Sequence, residues 1–147
     1  MHVILHLLTI GLLFALASCG EPLHVTTNNR QTMTLIINPA TEMLLESGGY
    51  IITAAGDQDL EPATSEDWSN VKSAAEALVE AGNLLTLPGR SAGTDWDEYV
   101  SDLISASKLV MAAAQQQDVG TLFDAGERIY QACQTCHNQY LIDDITQ

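Results

Sequence analysis

From Arg30 to the C-terminus the apolar residues recur at three- and four-residue spacing, and no run alternates strictly between turns in the way a strand requires. This pattern predicts an all-α chain. Three helix starts carry signals: Asn38-Pro39 as an N-cap with proline behind it, Thr64 three residues before Asp67, and Thr94 three before Asp97. A second helix, about 65–85, aligns Trp68, Val71, Ala75, Leu78, Gly82 and Leu85, and stops before Pro88-Gly89. A third, about 95–116, aligns Trp96, Tyr99 or Val100, Leu103, Ser107, Val110 and Ala114. A fourth, about 119–141, aligns Leu122, Ala125, Ile129, Cys133, Cys136 or His137, and Tyr140. The first region reads as a short helix, about 29–37, broken by Pro39 and followed by a main helix, about 39–54, which Gly48-Gly49 weakens. Four such helices on short connections predict an antiparallel four-helix bundle. The length of 147 residues suits one domain.

Val3 to Ala17 is almost wholly apolar and shorter than the roughly 17–25 residues of a membrane-spanning helix, so it reads as the core of an export signal. It ends in Leu16-Ala17-Ser18-Cys19-Gly20, which resembles the lipobox of bacterial lipoproteins, where the cysteine is lipidated and becomes the new N-terminus. The expected organisation is therefore a signal over 1–18, a tether over 19–29 and a bundle domain over 30–147. A lipid on Cys19 would anchor the domain to a membrane in the periplasm or cell envelope. It also leaves Cys133 and Cys136 as the only thiols of the folded part. All nineteen acids and all five cations lie beyond Cys19, so the mature chain keeps the formal charge of −14. That charge argues against nucleic acid as a partner and suits a basic redox partner.

The chemistry concentrates in Cys133-Gln134-Thr135-Cys136-His137. Cys-x-x-Cys-His is the attachment sequence for c-type haem. Residues three apart share a helix face, so both thiols can reach the edge of one porphyrin and form thioethers with its vinyl groups, while the histidine next to them supplies the proximal bond to iron. Three other readings use the same residues. A thioredoxin-like dithiol belongs near a helix start after a strand, whereas this motif is late in a helix. A zinc site needs a fourth ligand, and His24 in the tether is the remaining histidine past the signal. A structural disulfide between these cysteines closes a tiny loop and constrains little of the unfolded chain.

Four helices ending in Cys133-Gln-Thr-Cys136-His137-Asn-Gln-Tyr140 resemble the class II cytochromes c, the cytochrome c′ family and its low-spin relatives, over about residues 30–141. The stretches Met33-Thr-Leu-Ile-Ile-Asn-Pro39 and Asn83-Leu-Leu-Thr-Leu-Pro-Gly-Arg90 are similar to segments of a low-spin subgroup. Leu141 departs from the family pattern, in which a basic residue commonly follows the tyrosine. The resemblance implies one covalent haem c, electron transfer without substrate turnover, and a methionine from the first helix as the second axial ligand. Met33, Met43 and Met111 are the candidates, with Met33 preferred and Met43 as the alternative. Arg30, one turn before Met33, resembles a family arginine beside a haem propionate. The family also includes homodimers. Two rival functions stand beside electron transfer: a gas-binding cytochrome c′-like protein with an open distal site for NO or CO, and a haem-free structural or partner-binding helical lipoprotein.

Overall fold

The computed structural model describes residues 25–141. Cys19, the expected signal, His24 and most of the expected tether lie outside the described residues. The chain is mostly helical, with one small sheet. The elements run α1 (Asn29–Thr32), a π-helical turn (Met33–Ile37), α2 (Asn38–Leu45), β1 (Tyr50–Thr53), β2 (Gly56–Asp59), α3 (Ser65–Leu85), α4 (Thr94–Gln116) and α5 (Val119–Tyr140). Among the described residues no helix is long and apolar enough to cross a membrane.

The first region differs from the expected broken helix. α1, the π turn and α2 run on without interruption, and the N-cap is Asn28, whose side chain accepts from Gln31 N at 2.8 Å while the Gln31 side chain accepts from Asn28 N at 3.0 Å. Asn38 makes no cap. Its N–H instead donates five residues back to Met33 O. Proline has no N–H, and its ring crowds the carbonyl four residues earlier. A wider turn just before Pro39 accommodates the ring without ending the helix.

The expected helix over 39–54 is corrected too: α2 stops at Leu45, and residues 50–59 form an antiparallel hairpin. Gly48-Gly49 withdraws helix propensity, and Gly49 takes φ +83°, a conformation that side chains resist. The β-branched run Ile51-Ile52-Thr53 then favours a strand. Four residues are too few for alternation to show in the sequence.

The three long helices begin and end almost where the periodicity predicts. Thr64 and Asp67 form the anticipated capping box on α3, with Thr64 N donating to Asp67 Oδ2 at 2.8 Å and Asp67 N donating to Thr64 Oγ1 at 3.1 Å. The expected cap at Thr94 is shifted by one residue. Gly93 is the N-cap of α4 and offers no side chain. Asp118 caps α5.

α4 packs on both α3 and α5, and the N-terminal helix packs mainly on α3 with a brief contact to α5. The predicted stripes supply the core, including Val71, Leu78, Leu85, Val110 and Ile129, all 1 % exposed or less. Gly82 permits the close approach of α3 and α4: a Cβ there would lie 2.5 Å from Ile104 Cγ1. Where α3 gives way to α4, the buried Trp96 indole donates to Leu85 O at 3.0 Å.

Candidate functional site

The periodicity that buries Ile129, Ala132 and Cys136 turns one face of α5 inward, and Cys133 is half-buried beside it. Opposite stands the N-terminal helix, whose Met33, Ile37 and Thr41 recur every four residues and share a face. Between them lies a cavity of about 130 Å³ whose walls include Met33, Thr41, Cys133, Cys136 and His137, with Leu85 from α3 and Tyr99, Val100 and Leu103 from α4. Four helical segments line this space, and two of them supply its donors: α5 gives two thiols and the imidazole of His137, which is exposed, and the N-terminal helix gives a thioether.

Neither cysteine is in a disulfide. Burial pushes both thiols above their ordinary pKa, and at Cys136 the neighbouring Cys133 adds to the effect. They therefore stay protonated at neutral pH. That is opposite to the lowered pKa that makes a redox dithiol nucleophilic. Among the described residues no group of three or more His, Cys, Asp or Glu side chains could hold a metal ion, so Cys133, Cys136 and His137 do not converge as a zinc site would.

Thr41 Oγ1 is buried in the cavity wall and finds no hydrogen-bond partner among the described residues. A buried hydroxyl without a partner is costly, which suits a space meant to hold something other than side chains. The donor set fits a covalent haem: two thiols three residues apart for thioethers, and one imidazole and one thioether for iron. At about 130 Å³ the cavity is smaller than the roughly 300–1,000 Å³ of most ligand pockets. A macrocycle enters only if the Met33–Thr41 wall stands away from α5, and the contact between those two helices is brief, the wall being held to α3 instead.

The other sequence candidates lie elsewhere. Met43 is 41 % exposed on α2, beside Ser47, whose hydroxyl donates to Met43 O at 2.6 Å. Met111 packs half-buried on α4, two turns past Leu103 and outside the cavity walls. Arg30 is exposed one turn before Met33 and does not line the cavity.

Sequence reasoning missed the anchoring role of the other arginine in this part of the fold. Arg90, in the α3–α4 connection, donates to Leu84 O at 3.0 Å, to Thr32 Oγ1 at 3.1 Å and to the Thr27 carbonyl. Asn29 Nδ2 donates back to Arg90 O at 2.9 Å. These bonds pin the start of the N-terminal helix, and with it Met33, to the end of α3. Tyr99 was foreseen as core, not as a cavity wall. It packs edge-on against Tyr140, whose ring also meets Trp96 at 5.1 Å and 77°. Thr41 could have been found by its spacing of two turns from Met33.

Comparison with family models, with curated proteins and with solved structures finds no match to this chain.

Proposed function

We propose that this chain is an exported monohaem c-type cytochrome of the class II kind, an antiparallel four-helix bundle that transfers single electrons in the bacterial cell envelope. One observation carries the reading: Met33, Thr41, Cys133, Cys136 and His137 line a single apolar cavity, and the Thr41 hydroxyl there finds no partner among the described residues. Cys133 and Cys136 would hold a haem covalently, and His137 and Met33 would supply ligands to its iron. The haem, when bound, supplies the one-electron couple between ferric and ferrous iron. Leu85, Val100 and Leu103 keep water away from it, and the Arg90 bonds hold Met33 in reach. Lipidated Cys19 tethers the domain to a membrane, and the charge of −14 draws in a basic donor or acceptor.

The test is the spectrum of the Met33→Ala variant. The oxidised wild type is expected to be low-spin with a weak far-red sulfur-to-iron band. Met33→Ala should lose that band, move toward high spin, lower the potential and bind carbon monoxide when reduced, because a thioether favours ferrous iron and its removal opens a coordination position. Met43→Ala and Met111→Ala should change none of these. A wild type that is already high-spin and binds carbon monoxide at once would replace electron transfer with gas binding as the better account.

A further inference from the structure

The hairpin of β1 and β2 stands off the helices except near its base, where Asp59 lines a shallow cleft with Met43, Asp67 and Asn70. All eight strand residues are exposed, and no Cα of either strand lies within 8 Å of a helix Cα. A two-stranded sheet on its own is at best marginally stable in water. The register sets Tyr50 opposite Asp59 and Ile52 opposite Asp57. Paired residues share a face and alternate along each strand, so these four stand together. Tyr50 and Ile52 are 68 % and 74 % exposed, more than any other large apolar side chain among the described residues. The two edges of the sheet also differ. β2 carries Asp57 and Asp59, and charge discourages pairing along an edge, whereas β1, Tyr-Ile-Ile-Thr, has no charge and no proline.

We propose that β1 is a docking edge for an extended segment of a partner protein in which Lys or Arg alternates with apolar residues, added as a third strand. Its cationic side chains would lie with their stems over Tyr50 and Ile52 and carry their charges across β1, two strand spacings or about 10 Å, toward Asp59 and Asp57. Its apolar residues would fall on the other face, beside Ile51 and Thr53. Charge selects this occupant over a second copy, because two chains of −14 repel while a cationic segment is attracted. The proposal does not rest on the haem reading, since no hairpin residue lines the cavity.

The experiment titrates the isotopically labelled full chain with a synthetic peptide of alternating Arg and Val, and with its Glu and Val counterpart. Amide shifts and fluorescence anisotropy are followed from low to physiological ionic strength. The Arg peptide alone should move the amides of residues 50–53, and its affinity should fall as salt rises. Asp57→Asn with Asp59→Asn should weaken binding about tenfold and flatten the salt dependence. Ile52→Asp should weaken binding with the helical circular dichroism unchanged. Binding of both peptides alike, shifts confined to other regions, or no binding would each overturn the proposal. So would self-association through residues 50–53 that strengthens with salt, or attachment of the hairpin to phosphatidylcholine vesicles.

Discussion

The cavity end and the hairpin solve opposite problems with segments of the same chain. Around the cavity, Met33, Cys133 and Cys136 are drawn out of water by the apolar stripes on either side of them, and a buried hydroxyl is left unsatisfied. In the hairpin, large apolar side chains stay in water on a sheet whose backbone stands off the helices. A molecule that buries residues as small as Ala75 and Ala113 completely, yet leaves Ile52 three-quarters exposed, is not short of packing capacity. Both departures are what a chain folded around partners, one inside and one outside, is expected to show.

If that contrast is right, removing the restraint on the cavity wall should be costly. Arg90→Ala leaves the Leu84 and Thr27 carbonyls without their charged donor, and since Arg90 is only half-buried, a loss of about 2–3 kcal/mol is expected in denaturant unfolding. Arg90→Lys should recover little of it, because one ammonium cannot reproduce the forked contacts to Leu84, Thr27 and Thr32. A loss below about 0.5 kcal/mol, the range of ordinary surface changes, would mean that the wall is held by packing alone.

Acid should act next, and selectively on helix starts. The Thr64 hydrogen bonds hold the Asp67 carboxyl below its ordinary value of 3.8, and those from Thr121 do the same for Asp118. A depressed folded pKa means that the stabilisation is present above the ordinary value and is lost as pH falls through the lower folded one. The melting temperature should therefore drop below about pH 4. Thr64→Ala and Thr121→Ala should make that drop shallower. An unchanged acid profile in both variants would remove the caps from the account.

The hairpin should be the least sensitive region. Ile52→Asp is expected to change global stability by less than about 0.5 kcal/mol, because the side chain it removes is not buried. A loss of about 2 kcal/mol or more would show that the strand packs on the body, and would break the contrast drawn above.

The three long helices were legible in the sequence because each repeats its apolar residues over five or more turns, and α3 also opens on the capping box of Thr64 and Asp67, whereas the Asp118 cap of α5 went unread. The N-terminal region was not. Pro39 reads as a helix break, yet a π turn absorbs it. The hairpin is too short for its alternation to outweigh the helical spacing around it. At the site, the spacing of Cys133, Cys136 and His137 is local and was visible. The preference for Met33 over Met43 came from the resemblance, because the sequence does not say which face of a helix with a widened turn points inward. Arg90 matters through contacts with residues up to 63 positions away, which leave no local signal, and Thr41 through a missing partner, for which its two-turn spacing from Met33 was the one available hint.

The central claim is that Cys133 and Cys136 hold a haem covalently. The most direct measurement is the haem stain of the full chain after denaturing electrophoresis, paired with its intact mass, following expression in a bacterial host that attaches c-type haem. The account predicts a stained band and one haem of added mass per chain, less attachment in Cys133→Ala or Cys136→Ala alone, and none in the double variant. An unstained wild type of unmodified mass, folded and with both thiols free, would contradict it.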